Sequence, residues 1–116
     1  MAERRRLLSA STLSGDKVFN LEGEDLGKIE DFMLDMESGR IAYAVLSFGG
    51  VLGLGDKLFA VPPEALNIDE GKRCFVLDAS KSDLEHAPGF EKDAWPDFTD
   101  QSFRSQVYAY YGRIPT

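Results

Sequence analysis

Four glycines crowd into seven positions of the stretch FGGVLGLGDKLFAVP (48–62), and an acid and a lysine follow at once. A phosphate loop of the G-x-x-x-x-G-K-[ST] type wraps backbone N–H groups around its anion, and its lysine and hydroxyl must come directly after the last glycine. Gly50 and Gly55 have that separation, but Asp56 stands where the lysine is required and no serine or threonine follows it. The dinucleotide pattern G-x-G-x-x-G fails as well, because Gly53 and Gly55 are followed by Leu58. A carboxylate at Asp56 would repel a phosphate, so the loop is expected to turn the chain. Glycines reach positive φ at little steric cost, which suits a wide link between two core strands.

Other chemistry is equally thin. A Ser, Thr or Cys nucleophile needs a base within hydrogen-bond reach. The single histidine, His86, lies in a charged segment with Asp83 and Glu85, whereas the single cysteine, Cys74, opens an apolar run where a thiol is core material. One Cys and one His do not make a structural zinc site. Asp31 and Asp35 share a face of one strand, and Glu22, Glu24 and Asp25 gather in a turn. Either group reads as a solvated acidic surface, with weak binding of a hard cation as the alternative. No carboxylate has a visible partner that would make one an acid and another a base. The expectation is no enzyme, no cofactor and no metal.

These residues must be carried by a single small domain, since 116 residues support one hydrophobic core. Net charge is −7, which argues against direct nucleic-acid contact or an anionic membrane surface. A lone cysteine excludes an intrachain disulfide. The start, MAERRRLLSASTLSG, sets Arg4, Arg5 and Arg6 before Leu7 and Leu8, but the apolar run ends too soon for a signal peptide. No stretch approaches the ~20 apolar residues that span a bilayer. A cytoplasmic protein without membrane insertion is expected.

Residues 1–12 read as a flexible leader, 13–80 as the main domain and 81–116 as an extension. Within the main domain, VFNL (18–21), KIEDFMLDM (28–36), IAYAVLSF (41–48), KLFAV (57–61), a short NID piece and CFVLDA (74–79) are strand-like, separated by glycine or proline turns. Phe32, Leu34 and Met36 are expected on one face of their strand, opposite Asp31, Met33 and Asp35. The run 41–48 is apolar on both faces and therefore central. About six short strands with no long helix between them predict a mainly β fold, a small antiparallel barrel closed to remove its edges. In the extension, Ser82 and Glu85 have capping-box spacing for a short helix stopped by Pro88. Thr99 or Asp100 caps a last helix, QSFRSQVYAYY, ended by Gly112. Phe103, Val107, Tyr110 and Tyr111 fall on one side of it. Left in water, Phe90, Trp95, Phe98, Phe103, Tyr110 and Tyr111 would form a sticky patch. They are expected to dock on the barrel or across a two-fold axis, with a homodimer preferred.

The order of the pieces resembles a PRC-barrel domain over about residues 13–80. The matching features are Gly15-Asp16-Lys17-Val18, the G-E-x-L-G-x-I of Gly23 to Ile29 with Gly27 inside it, the loop of Gly49, Gly50, Gly53, Gly55, Asp56 and Lys57, and Ala60-Val61-Pro62. The W-P-x-x-x-D of Trp95 to Asp100 and the YYG of Tyr110 to Gly112 resemble the tails of stand-alone bacterial members. Pro63 departs from the pattern, where such proteins carry an aromatic residue. The family is named after the cytoplasmic domain of the photosynthetic reaction-centre H subunit and also occurs in a ribosome maturation factor. What the resemblance implies is a small barrel used as a non-catalytic protein-interaction or adaptor module, with structural rather than catalytic motif residues. A small-ligand or ion-sensing domain using the glycine loop and the acidic turn is the alternative.

Overall fold

A computed structural model describes residues 9–48, 57–69 and 71–112 of the chain. After a single helical turn, α1 (Ala10–Leu13), come β1 (Lys17–Phe19), β2 (Asp25–Asp35), β3 (Arg40–Phe48) and β4 (Lys57–Val61). A 3-10 turn at Pro63–Ala65 leads to β5 (Leu66–Asp69) and β6 (Cys74–Leu77), then α2 (Lys81–Glu85), β7 (Gly89–Phe90) and α3 (Gln101–Tyr110). Alternating apolar residues and glycine turns make the strands. Asn20 shows how tightly a turn can be built: its side-chain oxygen accepts from the Glu22 and Glu24 N–H groups at 3.1 and 2.8 Å, and its amide donates to the Glu24 carboxylate at 2.7 Å.

The expected closed antiparallel barrel is not what forms. Among the described residues, the strands make one seven-stranded sheet in the order β5-β6-β1-β2-β3-β4-β7, with β5 and β7 as its two edges. The sheet is mixed, because β1 runs parallel to β6, pairing Val18 with Phe75 and Phe19 with Val76. Closure would require β5 and β7 to share a ladder, and β7 is only two residues long. The curled inner face is sealed by side chains instead. Ala65 of the 3-10 turn and Leu84 and Ala87 from the α2 region join Val18, Leu26, Ile29, Ala44, Leu46, Phe59, Val61, Phe75 and Leu77 in one buried cluster. Side chains thus do the work that strand pairing does in a barrel.

Residue 43 onward, β3 is apolar on both faces because both are covered. Ala44 and Leu46 face the inner cluster, while Tyr43 and Val45 join Leu58, Ala60, Phe90, Val107 and Tyr108 in a second cluster on the outer face. The far end of the β2–β3 hairpin behaves differently. Phe32 packs inward, but Leu34 and Met36 stay 58% and 86% exposed.

The first helix of the extension is capped two residues earlier than expected. Ser80, not Ser82, accepts from the Asp83 N–H at 3.0 Å, and the Asp83 carboxylate accepts from the Ser80 N–H at 3.2 Å. Residues 80–83 repeat the same spacing with Asp in place of Glu, so either serine satisfied the pattern. Ser80→Ala should cost about 1 kcal/mol, and Ser82→Ala much less, in urea denaturation. Asp100 caps α3 as expected, accepting from the Ser102 N–H at 2.9 Å.

Candidate functional site

The extension lies against its own sheet. Gly89 and Phe90 pair with Phe59 and Leu58 as edge strand β7. From there a run of rings crosses the outer face. Phe90 meets Trp95 at 5.3 Å and Phe98 at 5.8 Å between centroids, Phe98 meets Phe103 at 5.7 Å, and Tyr43 of β3 sits 5.3 Å from Phe98 and 5.9 Å from Phe103. All five pairs are tilted or edge-to-face, the arrangements ring quadrupoles prefer. Val107 and Tyr108 of α3 complete the layer from above.

Five of the six tail aromatics singled out in the sequence are linked here or packed beside the sheet, and Tyr111 also touches both clusters. Trp95 is the least covered of the central group at 39% exposed, with its indole N–H donated to the Lys92 carbonyl at 2.7 Å. Tyr110 is turned to the rim, where its hydroxyl donates to the Asp83 carbonyl. A shallow depression of about 290 Å³ lies beside it, lined by Asp78, Ala79, Asp83, Tyr110 and Tyr111. Six aromatics left in water were the reason to expect a dimer, and that premise does not hold in this fold.

Tyr108 is absent from the residues singled out in the sequence. It is 2% exposed, donates to the Glu64 carboxylate at 3.2 Å and lies under the Arg104 guanidinium, 4.9 Å from its ring centroid. The signal was there in the width of the stripe: 104, 107, 108 and 111 share one helical face at i, i+3, i+4 and i+7. Burial, reinforced by the Glu64 charge, raises the Tyr108 hydroxyl to about 12. A hydroxyl whose pKa is higher folded than unfolded binds more protons in the native state between those values. Stability is therefore fully present below about pH 10 and falls as pH rises toward 12. Tyr108→Phe should flatten that alkaline loss in urea melts recorded between pH 9 and 11.5, while a parallel fall in both proteins would contradict it.

The other residues named in the sequence are dispersed. Gly15 and Gly23 hold positive φ in the turns around β1, and Gly27 holds it inside β2, opposite Val18. Asp16 accepts from the Ile29 N–H through its backbone carbonyl, and Pro62 precedes the 3-10 turn. Gly49, Gly50, Gly53, Gly55 and Asp56 lie outside the described residues. In the acidic turn, Asp25 is half engaged: partial burial opposes its ionisation, but the Gly27 N–H and the Lys17 ammonium, 3.1 Å away, outweigh it and hold the carboxyl low. Glu24 is held by Asn20. Cys74 is buried, and exposed His86 bonds through Nδ1 to the Ser82 carbonyl at 2.8 Å. Among the described residues, no three His, Cys, Asp or Glu side chains are grouped to hold a metal, and no helix is long and apolar enough to cross a membrane.

A family profile described as the PRC-barrel domain matches residues 6–84. Among solved structures, a candidate 16S ribosomal RNA processing protein from Pseudomonas aeruginosa is similar at 20% identity and a TM-score of 0.43, over 65% of this chain and 45% of that one. This chain therefore spans less than half the length of that protein. No curated protein matches.

Proposed function

The chain belongs to the PRC-barrel domain family, and on that premise we propose that it is a non-catalytic adaptor that holds a protein partner in the cytoplasm. One observation carries the reading. Both faces of the sheet are filled by the chain's own side chains around β3 and β4, yet the hairpin tip keeps Leu34, Met36 and Ile41 in water at 58%, 86% and 40% exposure. Leu21 is exposed as well, at 68%, but the hairpin end gathers three large apolar side chains, two of them cross-strand partners, and such a cluster is suited to binding. Net charge of −7 favours a protein over direct contact with nucleic acid. A ligand- or ion-sensing role would draw on the acidic turn, whose Glu24 and Asp25 are already held by Asn20, Lys17 and Gly27. Homodimerisation remains in the same functional class, with the tail aromatics no longer its driver.

Thermal-shift measurements with ATP, NAD, a quinone, divalent metals and a tetrapyrrole should show no saturable rise in the midpoint, since binding to the folded state must raise it by mass action. In-cell crosslinking should join the chain to a protein in stable proportion. A saturable small-molecule shift without any crosslinked protein would replace the adaptor reading with the sensing one.

A further inference from the structure

The ladder between β1 and β2 stops early. β1 pairs with Asp25, Gly27 and Lys28, and backbone bonds from Gly15 and to Asp16 carry the contact only as far as Ile29. The Ser14 hydroxyl then donates to the Glu30 carbonyl at 3.3 Å. Yet β2 continues to Asp35, paired on its other side with β3 through Met33–Tyr43, Leu34–Ile41 and Asp35–Arg40. Among the described residues, the β1-side edge of 31–35 therefore meets no strand, over about 16 Å at strand rise. The exposed Leu34 and Ile41 are cross-strand partners, with Met36 just beyond. Around them stand Glu30, Asp31, Asp35 and Glu37 against Arg40 and, acting on Asp35, Arg104. One oxygen of the Asp31 carboxylate accepts from the Phe32 N–H at 2.8 Å and one of Asp35 from the Glu37 N–H at 2.9 Å, which leaves the second oxygen of each for a cation.

We propose that this arm takes an extended, basic segment of a partner protein, added as a strand along residues 31–35 of β2. The inference rests on the adaptor reading above and names its surface. Edge backbone groups other than the Phe32 N–H, which the Asp31 carboxylate holds at 2.8 Å, supply the hydrogen bonds, Leu34 and Ile41 the apolar contact, and the acids select lysine or arginine at alternate positions. A second copy of this chain fits poorly. Antiparallel self-pairing centred on Met33 sets Asp31 opposite Asp35 twice, and like charges directly opposed across strands are destabilising. Acids also guard edges against aggregation, and the measurement below separates guarding from binding.

The test is amide NMR of the full chain titrated with a synthetic strand peptide of alternating lysine or arginine and valine. The acidic counterpart with glutamate at the same places serves as control. The basic peptide should give saturable shifts confined to 30–37 and 40–42, with slowed amide exchange on β2. The acidic peptide should give none. Leu34→Thr with Ile41→Thr should weaken binding at least tenfold while leaving the remaining amide spectrum in place. Shifts spread over all acidic surfaces, or equal binding by the double variant, would overturn the proposal, as would no binding. So would recovery of binding only after residues 1–8, with Arg4, Arg5 and Arg6, are removed, since the chain would then be covering its own edge. A partner crosslinked in cells through α3 or β5 would sink the arm and leave the adaptor reading standing. Peptide binding here with no protein crosslinked in cells would do the reverse.

Discussion

Gly27→Ala should be the most damaging single substitution in the described part of the chain, costing about 3–6 kcal/mol from combined backbone strain and steric overlap. Gly27 holds φ +113°, and a Cβ built there would lie 2.0 Å from the Ser47 carbonyl oxygen, in the backbone of the neighbouring strand. Nothing at that contact is a flexible side-chain tip, so β2 and β3 would have to separate where they pair Lys28 with Ser47. Gly23 supplies the control. Its φ is +83°, but no atom lies within 4 Å of its Cβ position, so Gly23→Ala should cost only the backbone strain, about 1–2 kcal/mol. Urea denaturation of the two variants checks this. Equal losses would mean that the close approach of Ser47 does not matter.

Removing residues 88–116 should abolish the cooperative melting transition or leave a species that binds hydrophobic dyes. The deletion strips Phe90, Val107 and Tyr108 from the outer cluster and bares Tyr43, Val45, Leu58 and Ala60. Three large side chains at roughly 1.5–3 kcal/mol each rival the whole ~5–15 kcal/mol that keeps a domain folded. Freed backbone entropy offsets part of this, but it does nothing for the bared sheet face. An unchanged melting point in the truncated chain would show that the outer layer contributes little. In the intact protein, Trp95 emission should be intermediate between a buried and a hydrated indole, because the ring packs on Phe90 and Phe98 while remaining 39% exposed.

The strands were legible where periodicity is strong. Residues 28–35, 41–48, 57–61 and 74–77 all form strands, and the run 41–48, read as apolar on both faces, is buried on both from Tyr43 to Ser47, while Ile41 stays 40% exposed. What covers its outer face was not legible, because sequence pattern records that a side chain is apolar and not which distant segment meets it. Barrel closure failed for a related reason. Whether the first and last strands of a sheet pair depends on contacts between β5 and β7, and a two-residue strand at Gly89–Phe90 carries no period to read. Leu34 and Met36 alternate correctly with their neighbours, yet they sit beyond the reach of either cluster, so alternation alone overstated the core.

The glycines divide the same way. Gly27 lies inside the quoted G-E-x-L-G-x-I pattern, but nothing in that pattern says that a carbonyl presses on it. The place of Tyr108 on the helical stripe was readable, but its partner Glu64, 44 residues away in the chain, was not. The acidic residues of the hairpin were visible as a charged face. Only the short β1 ladder shows that they flank an edge that meets no further strand among the described residues.

The chain's own extension builds the outer layer of its sheet. The most direct measurement is an isotope-filtered NOE experiment on an equal mixture of labelled and unlabelled chains. Contacts from the Tyr43 ring to Phe98 and Phe103, whose centroids lie 5.3 and 5.9 Å away, should appear within the labelled chain and be absent from the filtered spectrum. The same contacts appearing between labelled and unlabelled chains would place the extension on a neighbouring molecule and contradict the account.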